Sequence, residues 1–121
     1  MDFKDTKAIY LQIADHICDS ILLGEYPEGS KLPSVREYAA QLEVNVNTVT
    51  RSFDWLQTHD IAETRRGMGN YVLSGAHEAI LALRREEFFS DTLPSVFLSM
   101  EILGITMSDI ENARNEYLSQ L

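Results

Sequence analysis

The sequence predicts an α+β fold that is mostly helical. Three observations carry this. Isoleucines recur every four positions near the start, at 9, 13, 17 and 21. Serines at 34 and 108 each stand three residues before a glutamate, the spacing of a helix-opening capping box. One glycine-rich stretch, Arg66-Gly67-Met68-Gly69, lies between two short runs suited to a hairpin.

The elements follow in order. Residues from about Thr6 to Leu23 read as a helix, with Tyr10, Ala14 and Cys18 on the ridge beside the isoleucines. Gly24 and Pro27 stop it, and the turn-rich piece Glu25 to Ser30 leads on. Lys31-Leu32-Pro33 is extended, because Pro33 pushes Leu32 from helical angles. The box Ser34 to Glu37 opens a helix with Val35, Tyr38, Ala39 and Leu42 inward, ending near Leu42. Glu43-Val44 makes a tight turn, and Asn45 or Asn47 caps the next helix. That helix buries Val49, Phe53 and Leu56 and runs to about Asp60; Val46 and Trp55 are open between core and surface. Ile61 to Arg65 and Asn70 to Leu73 are the strands of the hairpin.

A helix, a tight turn, a second helix with a polar entrance and then a hairpin make a winged helix-turn-helix. There the second helix lies in the DNA major groove with its N-terminal residues on base edges. Gly75 reads as a joint, so residues 1–75 form this domain and residues 76–121 a helical segment. In that segment Ala79, Ile80 and Leu83 form one stripe up to Phe88-Phe89. Thr92-Leu93-Pro94 opens a helix carrying Val96, Phe97, Met100 and Leu103, ended by Gly104. The box Ser108 to Glu111 opens a last helix with Ile110, Ala113, Tyr117, Leu118 and Leu121. So short a segment rarely makes a core alone, and pairing with a second copy in a two-fold dimer would cover its apolar surface.

Composition bounds the function. At 121 residues the chain is one domain or a small domain with an appendage, and 45% hydrophobic residues exclude disorder. No apolar run reaches membrane-spanning length, and Met1-Asp2-Phe3-Lys4-Asp5 carries no signal-peptide pattern. Cys18 is the only cysteine, so no internal disulfide forms and a cytoplasmic protein is expected. His16, His59 and His77 are scattered without partner ligands, so no metal site is expected. No nucleophile–base–orienter set is visible, and Gly67-Met68-Gly69 joins strands instead of opening a helix, so neither catalysis nor a dinucleotide cofactor is expected.

The net charge of −9 runs against a nucleic-acid partner. Its distribution softens the conflict. Between Lys31 and Val72 five basic residues (Lys31, Arg36, Arg51, Arg65, Arg66) balance five acidic ones (Glu37, Glu43, Asp54, Asp60, Glu63), so the whole excess lies outside. A neutral region can still meet phosphates, while the acidic remainder opposes non-specific binding.

Several segments together resemble the GntR family of bacterial transcription factors. They are Tyr10-Leu11-Gln12-Ile13, Gly24, the run Gly29 to Glu37, the run Val44 to Arg51, and the wing Arg66 to Val72. They stand in the family's order and spacing. Asn45-Val46-Asn47-Thr48-Val49 and the short helical tail are similar to the YtrA-type branch, in which a compact helical segment serves dimerisation. The resemblance implies a homodimeric regulator, usually a repressor, on a palindromic double-stranded DNA operator. An effector of unidentified chemistry would act at the interface between the two copies. Many members carry arginine where this chain has Val46, and phenylalanine where it has Tyr71.

The candidate DNA contacts are Lys31, Ser34 and Arg36 before the turn, then Asn45, Asn47, Thr48, Thr50 and Arg51, and in the wing Arg65, Arg66, Gly67 and Gly69. Capping explains one or two of the polar residues at the helix entrance. The rest suit hydrogen bonds to bases or phosphates, asparagine pairing bidentately with adenine. Ser34 is a cap whose backbone N–H can also meet a phosphate. Arg65 and Arg66 either guard a strand edge or reach phosphate or minor groove. The alternative is a winged helix used for protein–protein assembly, without its own operator; the acidic charge favours that reading and the polar entrance opposes it.

Overall fold

A computed structural model describes residues 7–121. The expected helix start at Thr6 and the segment from Met1 to Asp5 lie outside the described residues. The chain divides into two compact units, Met1–Ala82 and Leu83–Leu121. The division falls within a helix that begins just after Gly75.

The first unit holds α1 (Ile9–Leu22), α2 (Val35–Leu42), α3 (Val46–Thr58), the strands β1 (Ala62–Arg65) and β2 (Gly69–Val72), and the opening turns of α4 (Ala76–Glu87). Ile13, Ile17 and Ile21 are buried as their spacing predicts, while Ile9 at the helix start is exposed. They meet Leu32, Tyr38, Leu42, Val49, Phe53, Leu56, Ile61, Val72, Ala76 and Ile80 in one core. The rings of Tyr38 and Phe53, 5.9 Å apart, join α2 to α3. The Tyr38 hydroxyl is buried without a hydrogen-bond partner among the described residues. Burial, then the neighbouring Tyr26 and Glu25, push its ionisation far upward, so it stays a neutral phenol.

The capping box of α2 is formed at both ends. The Glu37 N–H donates to Ser34 Oγ at 3.1 Å, and the Ser34 N–H donates to Glu37 Oε1 at 3.2 Å. Ser34→Ala should therefore lower stability by about 1 kcal/mol in a urea titration. The turn after α2 is closed by Glu43 in the left-handed region (φ 56°) and by the Val44 N–H on the Ala39 carbonyl at 3.0 Å. A non-glycine residue in that conformation costs roughly 1–2 kcal/mol. This turn joins α2 to α3. Of the two candidates, Asn45 is the cap of α3: its Oδ1 accepts the Asn47 N–H at 2.7 Å.

The hairpin is antiparallel, with Ala62 opposite Val72 and Arg65 opposite Gly69. The extended piece expected at Lys31 to Pro33 forms a third rail beside β2. The Gly29 N–H donates to the Val72 carbonyl (2.8 Å), Val72 N–H to Ser30 (2.9 Å) and Leu32 N–H to Asn70 (2.9 Å). Glu28 also accepts the N–H of Gly75.

The second unit contains the end of α4, α5 (Leu93–Leu103) and α6 (Met107–Ser119). One expectation is met here and one is corrected. α5 opens at Leu93 with Pro94 in its first turn, as expected, although Thr92 is itself helical and makes no side-chain cap, because Phe88–Thr92 forms one wide π turn leading into it. A wide turn directly before Pro94 relieves the clash between its ring and the preceding carbonyls. The box that opens α6 is Thr106 with Asp109, not Ser108 with Glu111. Gly104, left-handed at φ 69°, ends α5, and Thr106 follows within two residues. The backbone N–H of Thr106, then its side chain, hold the Asp109 carboxyl below its ordinary pKa. Among the described residues, no helix from α5 onward has a buried side chain; Ile102 is 73% and Leu103 69% exposed.

Candidate nucleic-acid interface

The face that α3 leaves open follows from which side it buries. Val49, Ser52, Phe53 and Leu56 face the core. With 3.6 residues per turn, Asn47, Thr50, Arg51 and Asp54 then lie on the opposite side, and all four are exposed. Val46, left open by its sequence position, is 43% exposed at the first turn, whereas Trp55 is half-buried with its ring 4.2 Å from that of His59. Asp54, unforeseen from the sequence, adds a carboxylate to this outer face, a group suited to accepting from a cytosine amino group and unfavourable near phosphate.

The side chains at the helix entrance are differently committed. Asn45 spends its carbonyl oxygen on the cap and keeps its amide NH₂ as donor. Thr50 Oγ1 donates to the Val46 carbonyl at 3.1 Å and retains acceptor capacity. Thr48 is half-buried, and its carbonyl lies 3.1 Å from Ser52 Oγ. The Ser34 N–H, expected to be open to phosphate, is taken by Glu37.

The arginines fall into three kinds. Arg36 and Arg66 are exposed and make no ion pair among the described residues. Arg51 is stacked, its guanidinium carbon 4.0 Å from the centre of the Tyr10 ring on α1. Arg65 is bound on two sides, by Glu63 at 2.8 Å and by the Tyr71 ring 3.9 Å below its guanidinium. Arg65 is thus tied to side chains of its own two strands.

Lys31 reaches the wing directly. Its Cε would lie 2.9 Å from a Cβ placed on Gly69, so the lysine stem crosses the strand where a side chain is missing. Gly69 holds φ 108°, and this backbone conformation is what favours glycine there, since the flexible lysine stem can move aside. The wing is tied to the end of α3 as well. Gln57 Nε2 donates to Thr64 Oγ1, which donates to Asn70 Oδ1, both at 2.6 Å. Neither tie was legible beforehand, since each joins residues whose nearness depends on the folded hairpin.

Among the described residues there is no cluster of His, Cys, Asp and Glu able to hold a metal ion, and no single helix is long and apolar enough to cross a membrane. Comparison with known proteins places the arrangement. The family described as "Bacterial regulatory proteins, gntR family" matches residues 9–72, from α1 to the end of the wing. The uncharacterized HTH-type transcriptional regulator YhcF of Bacillus subtilis is 37% identical over 108 residues, covering 89% of this chain and 88% of the relative. The HTH-type transcriptional repressor YtrA of the same organism is 36% identical over 110 residues, covering 91% and 84%. A crystal structure from Bacteroides thetaiotaomicron, assigned to the GntR family, superposes with a TM-score of 0.83 at 46% identity and covers 93% of this chain and 98% of its own. The chain therefore belongs to the GntR family, in its YtrA-type branch, and is a DNA-binding regulator of transcription and not an enzyme.

Proposed function

We propose that the chain is a cytoplasmic repressor that binds a palindromic operator as a homodimer and excludes the polymerase from it. The observation that carries this is the outer face of α3, where exposed Asn47 and Arg51 stand opposite a buried apolar face. Asn47, Thr48 and Arg51 are assigned to base edges and phosphates, with Asn45 and Thr50 adding the donors and acceptors they keep. Arg36 and Lys31 flank them. Ser34 acts through the helix it caps. The wing contributes Arg66 at its tip, with Gly67 and Gly69 permitting close backbone approach; Arg65 orders the strand beside them. YtrA of Bacillus subtilis, a repressor by its name, supports the sign of regulation.

Residues 1–75 are assigned to DNA and residues 76–121 to dimerisation. The exposed Phe97, Leu98, Ile102, Leu103, Tyr117 and Leu118 support the second assignment, since so much apolar surface on a small unit calls for a cover. In a two-fold dimer the two copies of α3 enter successive major grooves about one helical turn apart. An effector at that interface would change half-site spacing.

The test is fluorescence anisotropy with the chain's own promoter region, followed by footprinting. Affinity should fall with salt with a log–log slope of about −0.9 per phosphate neutralised, and protection should show two half-sites. Absence of binding at low salt, or binding indifferent to sequence, would favour a protein–protein assembly role instead.

A further inference from the structure

We infer that Tyr10 on α1 is a positioning residue for the DNA contact of Arg51. The inference rests on α3 being the reading helix. Tyr10 holds two consecutive residues of that helix by two different groups. Its ring lies under the Arg51 guanidinium, 4.0 Å from centroid to Cζ. Its backbone carbonyl accepts from Ser52 Oγ at 2.6 Å, and Ser52 is completely buried. The carbonyl thus fixes the ring's own backbone to α3, and the ring fixes the arginine.

The geometry suits recognition for a specific reason. Stacking uses the face of the guanidinium and leaves its five N–H donors in the plane, free for guanine O6 and N7 or for phosphate. A pair on the protein surface also settles the arginine rotamers before DNA arrives, so less freedom is lost on binding. Arg65 provides the contrast. It too lies on a tyrosine ring, but Glu63 occupies its Nε edge. Among the described residues Arg51 forms no such ion pair.

A purely structural tyrosine would serve α1–α3 packing equally well with or without Arg51. A double-mutant cycle separates the two roles. Tyr10→Leu removes the ring and keeps comparable bulk, Tyr10→Phe keeps the ring, and each is combined with Arg51→Ala. Binding is read by anisotropy on the footprinted operator and on a scrambled duplex of equal length. Tyr10→Leu should weaken operator binding about 3- to 10-fold. Tyr10→Phe should restore most of that loss, and in the Arg51→Ala background Tyr10→Leu should change nothing further. Equal losses in both backgrounds, or no loss at all, would overturn the inference. The free protein gives a second readout that depends on neither DNA nor the leucine variant. NMR should show the Arg51 side-chain protons shifted upfield by the Tyr10 ring current, in the wild type and in Tyr10→Phe. Unshifted protons in the wild type would overturn the inference too. Failure of the wild type to bind its promoter region would instead sink the reading of α3 itself.

Discussion

Phe53→Ala should lower the unfolding free energy by about 3–5 kcal/mol, the usual cost of emptying a buried phenylalanine site. Phe53 is 2% exposed, and its ring packs on that of Tyr38 across the α2–α3 pair. A domain of this size holds only about 5–15 kcal/mol in total, so the loss takes much of its stability. Urea titration measures it directly. Operator binding should fall in the same samples, because this contact joins α2 to α3. Phe53→Leu should cost clearly less, since more of the volume is kept. A variant as stable as the wild type would mean that the helix pair is held by something other than its shared core.

The second large effect is on binding. Arg36→Ala and Arg51→Ala should each weaken operator affinity by about 1–3 kcal/mol if they touch bases. Arg36 is exposed and without an ion pair among the described residues, so the melting temperature should stay nearly unchanged in Arg36→Ala, whereas Arg51→Ala also loses the stacking on Tyr10, about 0.5–1 kcal/mol. Comparison with scrambled DNA separates the modes. A lost base contact weakens operator binding and relaxes preference at one position. A lost phosphate contact weakens both duplexes alike and reduces the salt slope by about 1. Unchanged affinity in both variants would remove these residues from the interface and leave the fold intact.

The sequence was legible where structure is local. The Ser34–Glu37 box spans four residues and involves only their own backbone, so spacing alone finds it. The same rule misplaced the box of α6, because Thr106-Asp109 and Ser108-Glu111 satisfy one pattern. What separates them is where the Gly104 cap leaves the chain. The π turn at Phe88–Thr92 has no periodicity of its own and reads as an interruption between two helices. At the entrance of α3 the residue types are legible in the sequence, but their hydrogen-bond commitments are not. That Asn45 is the cap, that Ser34 has given away its N–H, and that Arg65 is bound by Glu63 and Tyr71 depend on geometry. In the sequence Tyr10 reads only as part of a motif and as a ridge residue. Its link to Ser52, 42 positions away, belongs to the packing of α1 on α3.

The third rail beside the wing separates what must be conserved in shape from what is free to vary. Bonds from Gly29, Ser30 and Leu32 hold β2, and the Gln57–Thr64–Asn70 chain holds the hairpin to α3, all of it below the Arg65–Gly69 pair. The loop from Arg66 to Met68 lies beyond every one of these ties, its one turn bond running from the Met68 N–H to the Arg65 carbonyl at 2.8 Å. Residues added or removed there would alter how far the wing extends along a duplex and leave strand register and helix angle as they are. Reach is thus an adjustable dimension of this scaffold, separable from the outer face of α3.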